Sequence, residues 1–442
     1  MKKNKRVQDY DFWYDFLRYY VDCVLKLSYR KIRYVGRERI PQDGAIIYAP
    51  NHTNALMDAM VVLAMDSKAK VFVARADIFK NPKIAKILHF LKIMPIMRMR
   101  DGINEVKKNN ETIEKAVDVL KDKIPFCIFP EGQHLAKHSA QPLSKGIFRI
   151  AFQAMELMGD TPLYIVPVGL QYGNFFRFRS TVRVEVGKPI NVGEFLKTHA
   201  ELTPQEQMNV LKEDLSGRIK SLITFIPDDE NYNATYEVCA AGMKPQRMEM
   251  VKAAKVRGLN RKFAHFQANK ALLEKIGAMK ENQPEKFSKL MELGNKAYAE
   301  RTSKEISLSS ITNRFGFKQR RLGFLFSLLL LPYSIPASLL VLPINLACAK
   351  IFTLLKDYAF RNSIRFIFNL IVWPLLMIIY AAIAFSLAPW EYALAGVLLF
   401  LPAPIVAHEM WRMFRLERSD MKLMRNKKLR GIYDQIRQML KD

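Results

Sequence analysis

A histidine and an aspartate six positions apart, His52 and Asp58, are the pair in this chain best placed to do chemistry together. They stand in "APNHTNALMDAM", where Asn51, His52, Thr53 and Asn54 follow an apolar stretch and Asp58 is alone in an apolar, helix-forming run. An imidazole and a carboxylate in such surroundings are costly unless they satisfy each other or react. An aspartate bonded to one ring nitrogen fixes the tautomer and leaves the other nitrogen free as a base, able to deprotonate a hydroxyl. Six residues of regular helix turn through about 600°, which would put the two on different faces. They meet only if His52 lies in the loop before the helix. Pro50 ends the strand "AIIYA", and Asn51 to Asn54 offer polar caps for a helix start. A satisfied structural pair is the competing reading.

Two further stretches carry polar residues at the ends of apolar runs. "KIMPIMRMRDG" places Arg98 and Arg100 after an apolar strand, where the alternative to ligand binding is a surface ion pair. In "FCIFPEGQH", Pro130 stops the strand and Gly132 permits a tight turn, which would leave Glu131 exposed at the strand's end. His134 and His138 in "HLAKH" have helical metal spacing, but no third ligand is evident and no metal is expected. The chain holds no nucleophile elbow and no P-loop.

The elements that must position these residues follow an alternating pattern. Apolar runs at 45–49, 71–74, 93–97, 126–129, 163–169 and 181–187 alternate with helical stretches, which predicts an α/β domain over residues 37–225 with a mixed sheet flanked by helices. Residues 1–36 read as one amphipathic helix with an aromatic face, suited either to a headgroup layer or to docking on the soluble domain. Residues 226–321 are charged and helix-favouring, a helical insert or linker.

Composition assigns the rest. Half of the 442 residues are apolar, and the formal charge is +27. Uncharged runs from Leu322, from Phe366 to Leu387, and again before His408 predict a C-terminal α-helical membrane domain over 322–410, followed by a basic tail, 411–442. The charge then suits anionic membrane lipids better than nucleic acid, for which there is no recognition signature. Four scattered cysteines, without a CxxC pair, point to reduced thiols in a cytoplasmic setting. No cleavable leader is expected from the basic, aspartate-interrupted N-terminus.

"NHTNALMD" followed later by "IFPEGQH" resembles the glycerolipid acyltransferase family, of the glycerol-3-phosphate and lysophosphatidate acyltransferase type, and in particular the branch with C-terminal membrane helices. The family usually has four residues between the His and the Asp; here five intervene. The resemblance implies transfer of a fatty acyl group from a thioester, acyl-CoA or acyl-carrier protein, to a hydroxyl of glycerol-3-phosphate or a related glycerol phosphate, with no cofactor. It implies His52 as general base and Asp58 as the residue that holds the ring. It also implies a substrate-facing set of Asn51, Thr53, Asn54, Arg98, Arg100, Glu131, Gly132 and Lys145, with Arg98 holding the phosphate bidentately. A lysolipid acceptor and a non-catalytic lipid-binding protein are the alternatives.

Charge placement predicts topology. The catalytic domain, the loop from Lys350 to Arg365 and the tail all carry basic residues and are expected on the cytoplasmic face. The 322–349 run would reach about 42 Å as a single helix, too short for two spans. Pro332, Pro336 and Pro343 suit a shallow re-entrant hairpin instead.

Overall fold

In the computed structural model, which describes residues 6–96, 109–253, 264–312, 316–355 and 357–441, an eight-stranded mixed sheet organises the first part of the chain. The strands are β1 (Tyr29–Val35), β2 (Ala45–Pro50), β3 (Val71–Arg75), β4 (Ile93–Ile96), β5 (Phe126–Cys127), β6 (Leu163–Tyr172), β7 (Ser180–Val186) and β8 (Ile190–Asn191). Their order is β1-β7-β6-β2-β5-β3-β4, with β8 also on β6. Neighbours pair in parallel except β6 with β7 and β6 with β8. Helices cover both faces, as parallel strands require.

Strand β2 shows why the sequence folds this way. All six of its residues are buried, and successive side chains alternate between two cores. Ala45, Ile47 and Ala49 pack with residues of helices Asn109–Lys121, Gly146–Leu157 and Pro204–Leu222, among them Leu120, Phe148 and Leu215. Ile46 and Tyr48 face the other way, onto Met57, Val61, Val166 and Phe366. Each large apolar side chain buried in such a core contributes about 1.5–3 kcal/mol. A close approach fixes one glycine: a Cβ at Gly169 would lie 2.5 Å from Cβ of Leu222, so only glycine lets that helix sit on β6.

The single helix expected over residues 1–36 is shorter. It spans Phe12–Ser28, started by Asp11 whose side chain accepts from Tyr14 N–H, and residues 29–35 form β1 instead. Tyr29, Ile32, Tyr34 and Val35 suit a strand, and pairing with β7 outweighs the helical pattern upstream.

The described residues form two units. The first joins Met1–Ile223 to a distant stretch, Lys350–Ile371, which therefore leaves the expected 322–410 domain. Phe366 supplies the reason: it is buried in the second core of the sheet. The other unit holds Thr224–Ala349 and Val372–Asp442. In it, the charged 226–321 region forms helices Tyr232–Ala253, Ala264–Asn282 and Pro284–Ser303. The stretch expected as a basic tail is helical as well, over Ala403–Arg425 and Lys427–Met439. Its Leu423, Leu429, Tyr433 and Ile436 share a core with Val238, Leu272 and Leu290, so amphipathic packing overrides the net charge. Inside that core, Glu237 is fully buried and held by Arg301 Nε at 2.9 Å and by the Tyr433 hydroxyl.

Among the described residues, one helical run, Phe360–Leu387, is long and apolar enough to cross a membrane. Two bent pairs would bring the number to three: Arg320–Leu329 with Leu331–Leu340, at 76°, and Trp390–Phe400 with Ala403–Arg425, at 48°. Leu342–Leu354 is a shorter apolar helix. Pro332 and Pro343 each sit at the second residue of a helix, where a missing N–H costs little, and Pro336 lies inside one.

Candidate active site

Strand β2 delivers the site. Where it ends, Asn51 clasps β6: its Oδ1 accepts from Leu170 N–H at 2.6 Å and its Nδ2 donates to Leu170 O at 3.1 Å. Asn51 thereby fixes the exit of the strand and the start of the loop that carries His52. The helix begins only at Leu56, so His52 lies in the loop and the two residues meet as the spacing requires. Ala55 makes the turn with φ 45° and ψ −125°, a conformation that side chains other than glycine rarely adopt.

Asp58 is fully buried in the first turn and reaches back to the loop. Its Oδ2 accepts from His52 Nδ1 at 2.8 Å, from Thr53 N–H at 2.7 Å and from Asn54 N–H at 2.6 Å. An ionised carboxylate only accepts, so Nδ1 carries the proton and the lone pair sits on Nε2. Charge-assisted bonds of this kind hold the buried carboxylate and orient the ring at once. The roles within the loop differ from expectation. Thr53 Oγ1 and the Asn54 side chain make no hydrogen bonds among the described residues, so they do not cap the helix. The helix has no side-chain cap, and Asp58 instead reaches back from its first turn to the amides of the two loop residues.

The His52 ring stacks on Phe129, centroid to centroid 4.3 Å, which fixes its plane. The Glu131 carboxyl lies on the backbone side of the same loop, where its Oε2 accepts from His52 N–H and from Gln141 Nε2, both at 3.2 Å. The expectation of an exposed Glu131 is corrected: only 7% of its surface is accessible. Burial, opposed by those hydrogen bonds, pushes its carboxyl up to about 7. Its Oε1 is buried and makes no hydrogen bond among the described residues. Gly132 has φ +68°, with nothing near its open side, so the turn itself requires a glycine there.

Several neighbours escaped the sequence reading. The segment from Gln133 to Ala140 is not helical, which removes the expected metal spacing of His134 and His138. The His134 ring instead lies 5.4 Å from that of His52, and its Nε2 is 2.7 Å from Asp357 Oδ2. His138 packs on Phe175, and burial lowers it to about 4. Beneath the pair, burial and the nearby Asp58 carboxylate push the Tyr172 phenol well above its usual value. Only spatial neighbours reveal these residues; no sequence spacing links positions 134 and 357. Lys145 Nζ donates to Gln205 Oε1 at 3.3 Å. Arg98 and Arg100 lie outside the described residues.

The arrangement has the geometry of an oriented imidazole with Nε2 free to take a proton. The Acyltransferase family profile matches residues 31–171, the span that contains every residue just described except Tyr172, Phe175, Gln205 and Asp357. Glycerol-3-phosphate O-acyltransferase 2 of Saccharomyces cerevisiae is 30% identical over 121 residues, covering 27% of this chain and 16% of that protein. Glycerol-3-phosphate O-acyltransferase 1 of the same yeast is 31% identical over 105 residues, covering 23% of this chain and 14% of that protein. The match thus spans about a sixth of these relatives' length. The crystal structure of the 1-acyl-sn-glycerophosphate acyltransferase PlsC from Thermotoga maritima aligns at 18% identity and a TM-score of 0.33, over 47% of this chain and 79% of that one. Residues 31–171 thus match the Acyltransferase family, and part of the chain is similar to the two yeast glycerol-3-phosphate O-acyltransferases.

Proposed function

We propose that this protein is a membrane-bound O-acyltransferase of glycerolipid synthesis that esterifies glycerol-3-phosphate with a fatty acyl group from a thioester donor. The observation that carries the reading is the His52–Asp58 pair, 2.8 Å apart, with Asp58 buried and tied by two loop amides. In the reaction, His52 Nε2 takes the proton of the acceptor hydroxyl as its oxygen attacks the thioester carbonyl carbon. The tetrahedral adduct collapses with cleavage of the C–S bond, and the departing thiolate recovers the proton from the imidazolium. An ester and a free thiol result. Asp58 stabilises the transient imidazolium and keeps Nε2 aimed.

Glu131 Oε1 supports acceptor binding, since a buried, unsatisfied carboxyl oxygen beside the base can take a hydrogen bond from a glycerol hydroxyl. Arg98, with Arg100 beside it, holds the phosphate in this reading. The two yeast relatives, both glycerol-3-phosphate O-acyltransferases by name, favour glycerol-3-phosphate over a lysolipid as acceptor. The apolar run Phe360–Leu387 and the +27 charge support a membrane location among anionic lipids, with the catalytic domain on the cytoplasmic face. The test is an acyl-transfer assay on the purified full chain, with labelled acyl-CoA or acyl-carrier protein and a panel of glycerol phosphates and lysolipids. Wild type should esterify glycerol-3-phosphate and His52→Ala should not, while melting as wild type does. Near-normal turnover in His52→Ala would sink the base assignment.

A further inference from the structure

Between two apolar runs, the sequence makes residues 350–365 look like a loop. In the structure they are part of the same unit as the His52 site, and they touch that site along two routes. On the first, Asp357 Oδ2 lies 2.7 Å from His134 Nε2, and Phe360 meets the same imidazole edge-on, 5.0 Å between centroids. His134 in turn stands 5.4 Å from His52, its ring at 74° to it. On the second, Asn362 Nδ2 donates to the Tyr29 hydroxyl at 3.2 Å, and the Tyr29 ring packs 6.1 Å from Tyr172, whose phenol feels the Asp58 carboxylate. Phe366, in the sheet's second core, anchors the segment just beyond these contacts.

One face of the His52 ring is covered by Phe129, and the His134 ring stands 5.4 Å away at 74° to it, near enough to border a hydroxyl bound in the ring plane at Nε2. His134 cannot swing away freely, because Asp357 holds its Nε2 and Phe360 packs on its ring. The Asp357 side chain is 49% exposed. An ion pair that open adds little to folding stability, so stability alone gives a weak reason for it. We propose that the segment Lys350–Ile371 is a working part of the acyltransferase site, in which Asp357 is a positioning residue that holds His134 against the acceptor side of His52. The proposal rests on the reading of His52 as base. It adds that recognition of the acceptor's polar end depends on a segment contributed from between the apolar helices.

The test is steady-state kinetics on the full chain in lipid–detergent micelles, with glycerol-3-phosphate and a long-chain acyl-CoA. The variants are Asp357→Ala, Asp357→Glu, His134→Ala and the double Asp357→Ala/His134→Ala. Asp357→Ala should raise the acceptor KM at least about ten-fold, the scale of a lost charged hydrogen bond, and leave the donor KM and the melting temperature in place. Asp357→Glu should restore most of the loss. The double variant should be no worse than His134→Ala, since Asp357 acts through that ring. An unaltered acceptor KM in Asp357→Ala, additive losses in the double variant, or a loss of both KM values together with a lowered melting temperature would each overturn the inference. With an active wild type, those outcomes leave His52 as base untouched; an inactive wild type overturns both.

Discussion

Glu131 is ionised at a cost that stability measurements can read. Its carboxyl titrates at about 7 instead of the usual 4.5, because burial disfavours the charged form more than its hydrogen bonds favour it. Each tenfold change in proton affinity corresponds to about 1.4 kcal/mol, so the difference amounts to roughly 3 kcal/mol. Between pH 4.5 and 7 the folded protein keeps this proton and the unfolded chain does not. Stability contributed by the protonated form is therefore complete below about 4.5 and is lost as pH rises through about 7. Glu131→Gln keeps the shape and the oxygen that accepts from His52 N–H, and has no proton to lose. Thermal or denaturant unfolding of wild type and variant in the same micelles, from pH 4.5 to 8, should show wild type losing roughly 3 kcal/mol relative to the variant. The difference should level off above pH 7.5 or so. A difference that stays flat across this range, or grows in favour of wild type as pH rises, would refute the argument that burial dominates at Glu131.

Asp58→Asn should lower kcat by about 10²–10⁴-fold with little change in acceptor KM, because in the proposed mechanism it disturbs the base and not the phosphate contacts; rate constants against acceptor concentration check this. Arg98→Ala should instead raise acceptor KM by the equivalent of roughly 1.5–3 kcal/mol at nearly constant kcat, measured in the same assay. For topology, a cysteine at Tyr358, which is 56% exposed, in a Cys23→Ser background should be labelled only from the cytoplasmic side of sealed vesicles; labelling from the opposite side alone would reverse the orientation.

The geometry of the His52–Asp58 pair was more legible in the sequence than its surroundings. The offset of His52 and Asp58 already demanded a loop before the helix, because no regular helix brings positions six apart together. The buried run of β2 was legible for a similar reason, since a continuous apolar stretch between turn signals has few other uses. What misled was local pattern without tertiary context. Thr53 and Asn54 have the chemistry of caps, yet the amides near them are taken by a carboxylate further along the chain. Glu131 follows a strand end and a proline, which suggests exposure, until the His52 loop closes over it. Residues 29–35 continue a helical face in sequence and become a strand only because β7 is there to pair with them. The engagement of Asp357 and Phe366 with the α/β unit leaves no trace in spacing at all.

Ala55 carries a consequence for how the base is kept ready. A non-glycine residue at φ 45° and ψ −125° stores on the order of 1–3 kcal/mol of local strain, held in place here by the bonds from Asp58 to the amides just before it. A glycine at this position would relieve that strain, and the same freedom would let the His52 loop sample other geometries. Robustness and readiness are thus set against each other at one methyl group. Selection for heat resistance alone would drift toward glycine there and arrive at a tougher, slower catalyst, while selection for turnover would keep the alanine and its discomfort.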